Sequence, residues 1–386
     1  MADMLSDNIA IVMAIVALVL AMVTPLFSPL FRWKRRKEER ADDGTLQPVS
    51  VIIASHDDAR QLEKHLPAIL QQDYPAGYEV IVVIEKGDHE VEDALKRIKH
   101  EHEQQGGPAH LYVTYIPETS RYMSRRKLAV TLGVKAAKNE WLLMTDSNCE
   151  PASSQWLALM ARHCADDKTL VMGYTTYDDE TSSFKRYEHF YHCCYLLREA
   201  TNWAYRTNCP NVMFRKLLFM EQEGYLGNLE LVRGEYDFLV NKYARQGATA
   251  VETAPQAWMV QDEPTRKSWV NKHVYYVESR KSLFRSFRHR AVFNTDQTVM
   301  RLCTCCIVAG VAYALLTTNW ALLAAVVFAF VVEFALRCLI DSMAIKRFGE
   351  KFSLAAFYDH FMMWSALVFL LRHRCADRRN FTTHKQ

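Results

Sequence analysis

Apolar positions along this chain form short β-branched runs and long charge-free runs, and the two kinds predict different elements. Val49-Ser-Val-Ile-Ile-Ala54, Glu79-Val-Ile-Val-Val-Ile84, Leu111 to Ile116 and Trp141 to Met144 are too short for helices and read as buried strands. Asp57 and Asp58 open a helical stretch through Leu62, Leu66, Ile69 and Leu70. A charged helix follows the second strand, Gly106-Gly107-Pro108 interrupts the chain before the third, and Arg125 to Lys138 is helical again. Strand and helix alternate, so residues 48–279 are predicted to form an α/β domain, a Rossmann-like, mostly parallel sheet flanked by helices.

The long runs predict membrane helices at both ends. Ile9 to Phe31 carries no charge and is followed at once by Arg32, Lys34, Arg35, Arg36 and Lys37. A helix of that length crosses a bilayer, and the basic cluster is retained on the cytoplasmic side. The segment lacks the basic start and small-residue cleavage site of a signal peptide, which predicts an uncleaved anchor over residues 1–32 with a basic linker over 33–47. Leu302 to Val332 is also free of charge and is interrupted by Thr317-Thr318-Asn319, as a two-helix hairpin over 302–341 would be. Glu333 and Arg337 sit one helical turn apart and can pair. Arg280, Lys281, Arg285, Arg288, Arg290 and Arg301, interleaved with Phe284, Phe287 and Phe293, predict an amphipathic helix over 280–301 on anionic lipid, a better fit than nucleic acid. Within residues 342–386, the run Phe361 to Leu371 ends in Arg372, His373, Arg374, Arg378 and Arg379, which favours an interfacial helix over a crossing.

Composition narrows this little. The chain has 386 residues, 50% hydrophobic and 24% charged, with a formal net charge of +3, enough for one large domain and its membrane segments. Of its ten cysteines, Cys303, Cys305, Cys306 and Cys338 fall in the apolar membrane segments and the rest form no CxxC pair, which predicts a reduced cytosolic set. His189, His192, Cys193 and Cys194 lie in an aromatic amphipathic helix and read as packing residues rather than a zinc site.

Candidate chemistry gathers where Glu140-Trp-Leu-Leu-Met-Thr-Asp146-Ser-Asn148-Cys-Glu150-Pro151 ends its apolar run in oxygen-bearing side chains. Ligands bind at the carboxyl ends of strands in open α/β sheets, and Asp146 and Asn148 can both turn toward a hard divalent cation. No GxGxxG follows the first strand and no GxxxxGK[ST] occurs, so neither a dinucleotide fold nor a P-loop is supported.

In order and spacing the motifs resemble family 2 glycosyltransferases of the membrane-anchored bacterial type. Val49 to Asp58 resembles their opening strand, Glu79 to Asp88 the second strand with its acidic end, and Lys127-Leu-Ala-Val-Thr-Leu-Gly133 the helix before their Asp-x-Asp strand. Thr145-Asp146-Ser-Asn-Cys-Glu-Pro151 is similar to the Asp-x-Asp motif itself. Asn208-Cys-Pro-Asn-Val-Met-Phe-Arg-Lys216 is similar to the acceptor-side segment, and Arg233-Gly-Glu-Tyr-Asp-Phe-Leu239 to the segment holding the catalytic base.

The resemblance implies a GT-A fold that binds a nucleotide-diphosphate sugar. Ala54, Ser55 and Glu85 would hold base and ribose, the stretch from Arg125 to Lys127 would lie near the nucleotide and diphosphate, and Asp146 would contact ribose or metal. Asp146 and Asn148 would ligate Mn²⁺ or Mg²⁺, Asn208, Asn211 and Trp269 would line the acceptor side, and Glu235 or Asp237 would be the base. The chain departs from the family at Asn148, where an aspartate is usual, and at Tyr236, where the base would fall if Glu235 is aligned. The Gln-x-x-Arg-Trp of processive members is missing from Arg266 to Tyr276, which points to transfer of a single sugar. The expectation is an inverting enzyme, multi-pass in the inner (plasma) membrane, with its catalytic domain cytoplasmic and a saccharide or lipid-linked acceptor. The rivals are a processive synthase and an inert scaffold.

Overall fold

The computed structural model describes residues 2–31, 46–55, 58–117, 124–350, 352 and 355–382. The basic residues named above from Arg32 to Lys37, together with Asp57, lie outside the described residues. Two units are distinct, one of residues 37–284 with 368–386 and one of residues 1–36 with 285–367.

The chain opens with α1 (Ala2–Val23). The α/β unit then runs β1 (Val49–Ala54), α2 (Ala59–Leu70), β2 (Tyr78–Glu85), α3 (His89–Gln104), β3 (His110–Ile116), α4 (Arg125–Ala136), β4 (Trp141–Thr145) and β5 (Cys149–Pro151). It continues through α5 (Trp156–Ala161), β6 (Leu170–Gly173), β7 (Thr175–Tyr177), α6 (Ser183–Trp203), β8 (Val212–Arg215) and α7 (Lys216–Glu221). It closes with α8 (Glu235–Tyr243), β9 (Thr249–Glu252), β10 (Met259–Gln261) and α9 (Arg266–Ser279). The other unit carries α10 (Phe287–Leu316) and α11 (Trp320–Phe348), and α12 (Ala355–Cys375) follows.

The main sheet has the order β3-β2-β1-β4-β8-β6-β9. Its first four strands are parallel, β8 is antiparallel to both neighbours, and β6 pairs parallel with β9. Strands covered on both faces read as continuous apolar runs. Val51, Ile53, Val80 and Val82 accordingly share one core with Leu62, Leu66, Leu95 and Ile98 of α2 and α3. On the opposite face α4 lies close to the sheet because residue 133 is glycine. A Cβ there would stand 2.6 Å from Ile52 Cγ2, inside any normal contact, and a tight 3.3 Å from Val83 Cγ2.

The order of the strands turns at β1, with β2 on one side and β4 on the other, so a crevice opens at the carboxyl ends of β1 and β4. A small second sheet, β5-β10-β7, holds the turn that leaves β4. Cys149 N donates to Asp146 O at 3.2 Å, Asp262 N to Asn148 O at 3.0 Å, and Ser147 Oγ to Asp58 Oδ2 at 2.6 Å. These bonds fix Asp146 to Asn148 at the edge of the crevice.

In the other unit, small residues let helices approach closely, as membrane helices require when water supplies no driving force between them. Ala17 and Ala21 of α1 and Val326 and Ala329 of α11 are fully buried in one cluster. Among the described residues three segments are long and apolar enough to span a membrane: Asn8–Phe27, Asn294–Leu316 and Trp320–Phe348. The expected turn lies between the second and third, where Asn319 Oδ1 accepts from Leu322 N at 3.0 Å and starts α11.

Arg337 does pair with Glu333, at 2.5 Å, and further with Asp359 at 2.5 Å and Asp296 at 3.5 Å. The separate amphipathic helix expected over 280–301 is not what forms. Helix α10 starts at Phe287 and continues unbroken into the apolar span, and Arg301 donates to Met363 O at 2.9 Å instead of facing lipid.

Candidate active site

A cavity of about 510 Å³ opens at the crevice, a volume that suits a small ligand. Three groups of residues supply its walls. Ala54 ends β1 and Asp58 comes after it, and Asp146, Ser147 and Asn148 follow β4. Arg233 to Asp237 come from the start of α8, while Arg206 to Pro210 with Trp269, Lys272, Tyr275 and Tyr276 form the far side.

Helix α8 meets the cavity end-on. Gly234 precedes it at φ 99°, a left-handed conformation that side chains disfavour, and the backbone turns there so that the next three residues all reach the cavity. Glu235 Oε1 pairs with Arg126 Nε at 2.7 Å, and the same guanidinium pairs with Asp146. Tyr236 donates its phenol to Asp146 Oδ1 at 2.7 Å. Burial and then Asp146 push the Tyr236 phenol well above its usual pKa, so it stays a donor.

Asp237 turns the other way, because residues two apart on a helix do not share a face. Its Oδ1 stands 3.3 Å from Arg206 Nε, and the Arg206 guanidinium lies 3.6 Å from the centroid of the Tyr276 ring. Burial raises the Asp237 pKa above the usual carboxylate value; Arg206 opposes the rise and Glu235 adds to it.

The structure therefore brings Asp146, Asn148, Glu235, Asp237, Ala54, Asn208 and Trp269 to one cavity. Trp269 Nε1 donates to Glu188 Oε2 at 3.1 Å, and Asn208 Nδ2 to His189 Nδ1 at 3.2 Å. Other expected site residues stand elsewhere. Lys127 is fully buried and does not line the cavity; its ammonium donates to Asn228 O and Leu231 O, both at 2.6 Å, and burial pushes its pKa down to about 8. It ties down the loop that leads to α8.

Asn211 is buried as a structural tie: its Nδ2 donates to Tyr174 O and Ala257 O, and its Oδ1 accepts from Trp156 Nε1, each at 3.1 Å. An acceptor cannot reach it without breaking those bonds. Arg125 pairs with Glu85, and neither lines the cavity; Ser55 is buried with its N–H on Val83 O at 3.0 Å. Glu150 faces His65 at 3.3 Å, away from the cavity.

Of the stretch Arg125 to Lys127 only Arg126 lines the cavity, and sequence reasoning missed Arg206 and Lys272. For Arg126 a signal exists: it lies one turn before Val130 and two before Gly133, the side of α4 packed on the sheet, so its side chain extends that stripe past the strand ends.

An open, mostly parallel sheet covered by helices, with acids and a guanidinium turned into the crevice at its carboxyl edge, defines a GT-A type α/β domain. A family model described as Glycosyl transferase family 2 matches residues 50–221, and the chain is a glycosyltransferase. Its fold is similar to that of a mannosyltransferase, PcManGT from Pyrobaculum calidifontis, in complex with GDP-Man and Mn²⁺ (TM-score 0.54, 18% identity, 87% of this chain and 98% of that chain covered). A lower similarity is found to residues 1–349 of S. aureus TarS in complex with UDP-GlcNAc (TM-score 0.40, 18% identity, 68% of this chain and 66% of that chain). Among curated proteins no sequence match is found.

Proposed function

We propose that this chain is a membrane-anchored inverting enzyme that moves one sugar from a nucleotide-diphosphate sugar to a saccharide acceptor, lipid-linked or close to the membrane, on the cytosolic face. The observation that carries this reading is the first turn of α8, which sets Glu235, Tyr236 and Asp237 in one cavity with Asp146 and Asn148.

The donor set fits a divalent cation of the Mg²⁺ or Mn²⁺ class. Asp146 and Asn148 both line the cavity and both offer oxygen, and they would hold the ion with one charge fewer than a carboxylate pair. When bound, such an ion neutralises diphosphate charge. Arg126 supplies fixed positive charge at the same place, and Glu235 with Asp146 holds its guanidinium in position.

Asp237 is the base. It takes the proton from the acceptor hydroxyl, whose oxygen forms the new bond to the anomeric carbon. The bond from that carbon to the diphosphate oxygen breaks on the opposite face, and the electron pair leaves with the nucleotide diphosphate. A carboxylate whose proton affinity is raised by burial suits this task better than Glu235, which is committed to Arg126.

Trp269 and Tyr275 offer aromatic surface for the acceptor sugar. Membrane proximity is supported by Phe284 and Phe287, 68% and 86% exposed, beside Lys281, Arg285 and Arg290. The basic flanks of the apolar spans support a cytosolic active site.

The test is transfer by purified protein from a panel of nucleotide sugars, with the anomeric configuration of the product read by NMR. Inversion and one added sugar are expected; retention or a polymeric product would refute the reading.

A further inference from the structure

Beside the acceptor wall lies a group of side chains that sugar transfer does not use. His189 and Cys193 are one turn apart on α6, and Cys209 comes from the segment before β8; their exposures are 1%, 0% and 2%. One ligating atom from each lies within 4.8 Å of the others. Cys193 Sγ is 3.9 Å from His189 Nδ1 and 3.5 Å from Nε2, and the sulfurs of Cys193 and Cys209 are 2.8 Å apart.

The histidine is already oriented. Its Nε2 faces the Thr175 carbonyl at 2.8 Å, and a carbonyl has no proton to give, so Nε2 carries the hydrogen; Nδ1 is then the acceptor, and its lone pair receives the Asn208 amide at 3.2 Å, a bond that an ion at Nδ1 would replace. A backbone carbonyl on one ring nitrogen is how ligating histidines are commonly fixed for the other. Two sulfurs with one imidazole form the donor class of zinc, which binds sulfur at about 2.3 Å and nitrogen at about 2.0–2.1 Å, so its ligand atoms stand roughly 3.6–3.8 Å apart. The Cys193 to Nδ1 distance, 3.9 Å, reaches that spacing by closing a few tenths of an ångström, and the sulfurs reach it by parting about 1 Å.

Charge fits as well. Two buried thiolates alone would repel, whereas with a divalent ion they make a neutral centre. Lys272, which interacts with both cysteines, then faces neutral sulfur rather than a bare cation. Asn208 and Cys209 line the cavity, so the site borders the acceptor wall.

We infer that His189, Cys193 and Cys209 bind one zinc-class ion that ties α6 to the acceptor wall. This site is separate from the hard-cation position at Asp146 and Asn148, and it involves neither His192 nor Cys194.

Full-length protein in detergent, freed of loosely bound metal by gel filtration in metal-free buffer under reducing conditions, is assayed for zinc by mass spectrometry. About one ion per chain is expected. Cys193→Ser and Cys209→Ser should each lose it, and Cys194→Ser should keep it. Because serine in this packed place can unfold the chain, unmutated protein is also loaded with Co²⁺. Sulfur-to-cobalt charge-transfer bands and intense tetrahedral bands are expected. Zinc retained by both Cys193→Ser and Cys209→Ser would overturn the assignment, as would an absence of both zinc and cobalt–sulfur bands in the unmutated chain. An intact mass lighter by two hydrogens with no metal would also overturn it, since the cysteines would then be an oxidised pair. Transfer activity enters none of these readouts, so they are independent of the proposed reaction.

Discussion

Asp237→Asn separates the two candidate bases. The substitution keeps shape and removes the proton acceptor, while the Arg206 guanidinium keeps its place over the Tyr276 ring. A positioned base contributes about 10²- to 10⁴-fold, so kcat should fall by that factor. At 1.36 kcal/mol per tenfold this is about 3–5.5 kcal/mol of activation free energy.

Glu235→Gln acts differently. It weakens a 2.7 Å charge-assisted bond to a guanidinium that also holds Asp146, so it should destabilise the domain by about 1.5–3 kcal/mol and raise the donor KM.

The pH dependence carries a sign. The folded-state pKa of Asp237 is raised, so its stabilising contribution is fully present below the unfolded value and is lost as pH rises through the folded one. Asp237→Asn should therefore gain in melting temperature relative to the unmutated chain as pH rises. The acid limb of kcat/KM, where the base becomes protonated, should have its midpoint above the usual carboxylate value. The assay is steady-state transfer with labelled donor across pH, beside thermal unfolding of each variant. If Asp237→Asn keeps nearly full kcat while a folded Glu235→Gln loses it, the assignment of the base is wrong.

Asn148→Asp adds a second carboxylate to the hard-cation position. The Mn²⁺ concentration giving half-maximal activity should fall by about tenfold, one step of 1.4 kcal/mol, and an unchanged metal titration would exclude Asn148 as a ligand. Gly133→Ala places a methyl 2.6 Å from Ile52 Cγ2, and overpacking of that kind should lower unfolding free energy by about 1–3 kcal/mol in denaturant titration. Trp269→Ala should raise the acceptor KM by about 2- to 10-fold, the loss of 0.5–1.5 kcal/mol of ring contact, with donor KM unchanged. Trp269→Phe should recover most of that loss, and a change in donor KM instead would remove Trp269 from the acceptor side.

How legible each feature was depended on how far its cause extends along the chain. The four parallel strands were visible because burial on both faces forces continuous apolar runs, and β1 spans the residues the pattern marks. The start of α10 was not visible. A basic, aromatic stretch has the same composition whether it lies on a membrane or leads directly into a crossing, and only the turn before Phe287 decides.

Individual side chains were harder still. A cluster of cations at a helix start does not say which one faces inward, and rotation by about 100° per residue separates Arg126, in the cavity, from Lys127, bound to loop carbonyls. Asn211 belongs to the segment that resembles the acceptor side, yet its partners Trp156, Tyr174 and Ala257 are brought to it by three different elements, which no local pattern records.

The departure at Tyr236 has a geometric reading. If α8 met the cavity side-on, only one of Glu235, Tyr236 and Asp237 could enter, and a shift of one residue would decide which acid reacts. Because Gly234 turns the helix end-on, all three enter, and each takes a different partner. Tyr236 then grips Asp146 where an aspartate would repel it, and the two acids are left to separate tasks, Glu235 holding the guanidinium and Asp237 facing the acceptor wall. On this geometry the tyrosine does not displace the base; it fills the position between two carboxylates with the one group of the three that can donate a proton to a third.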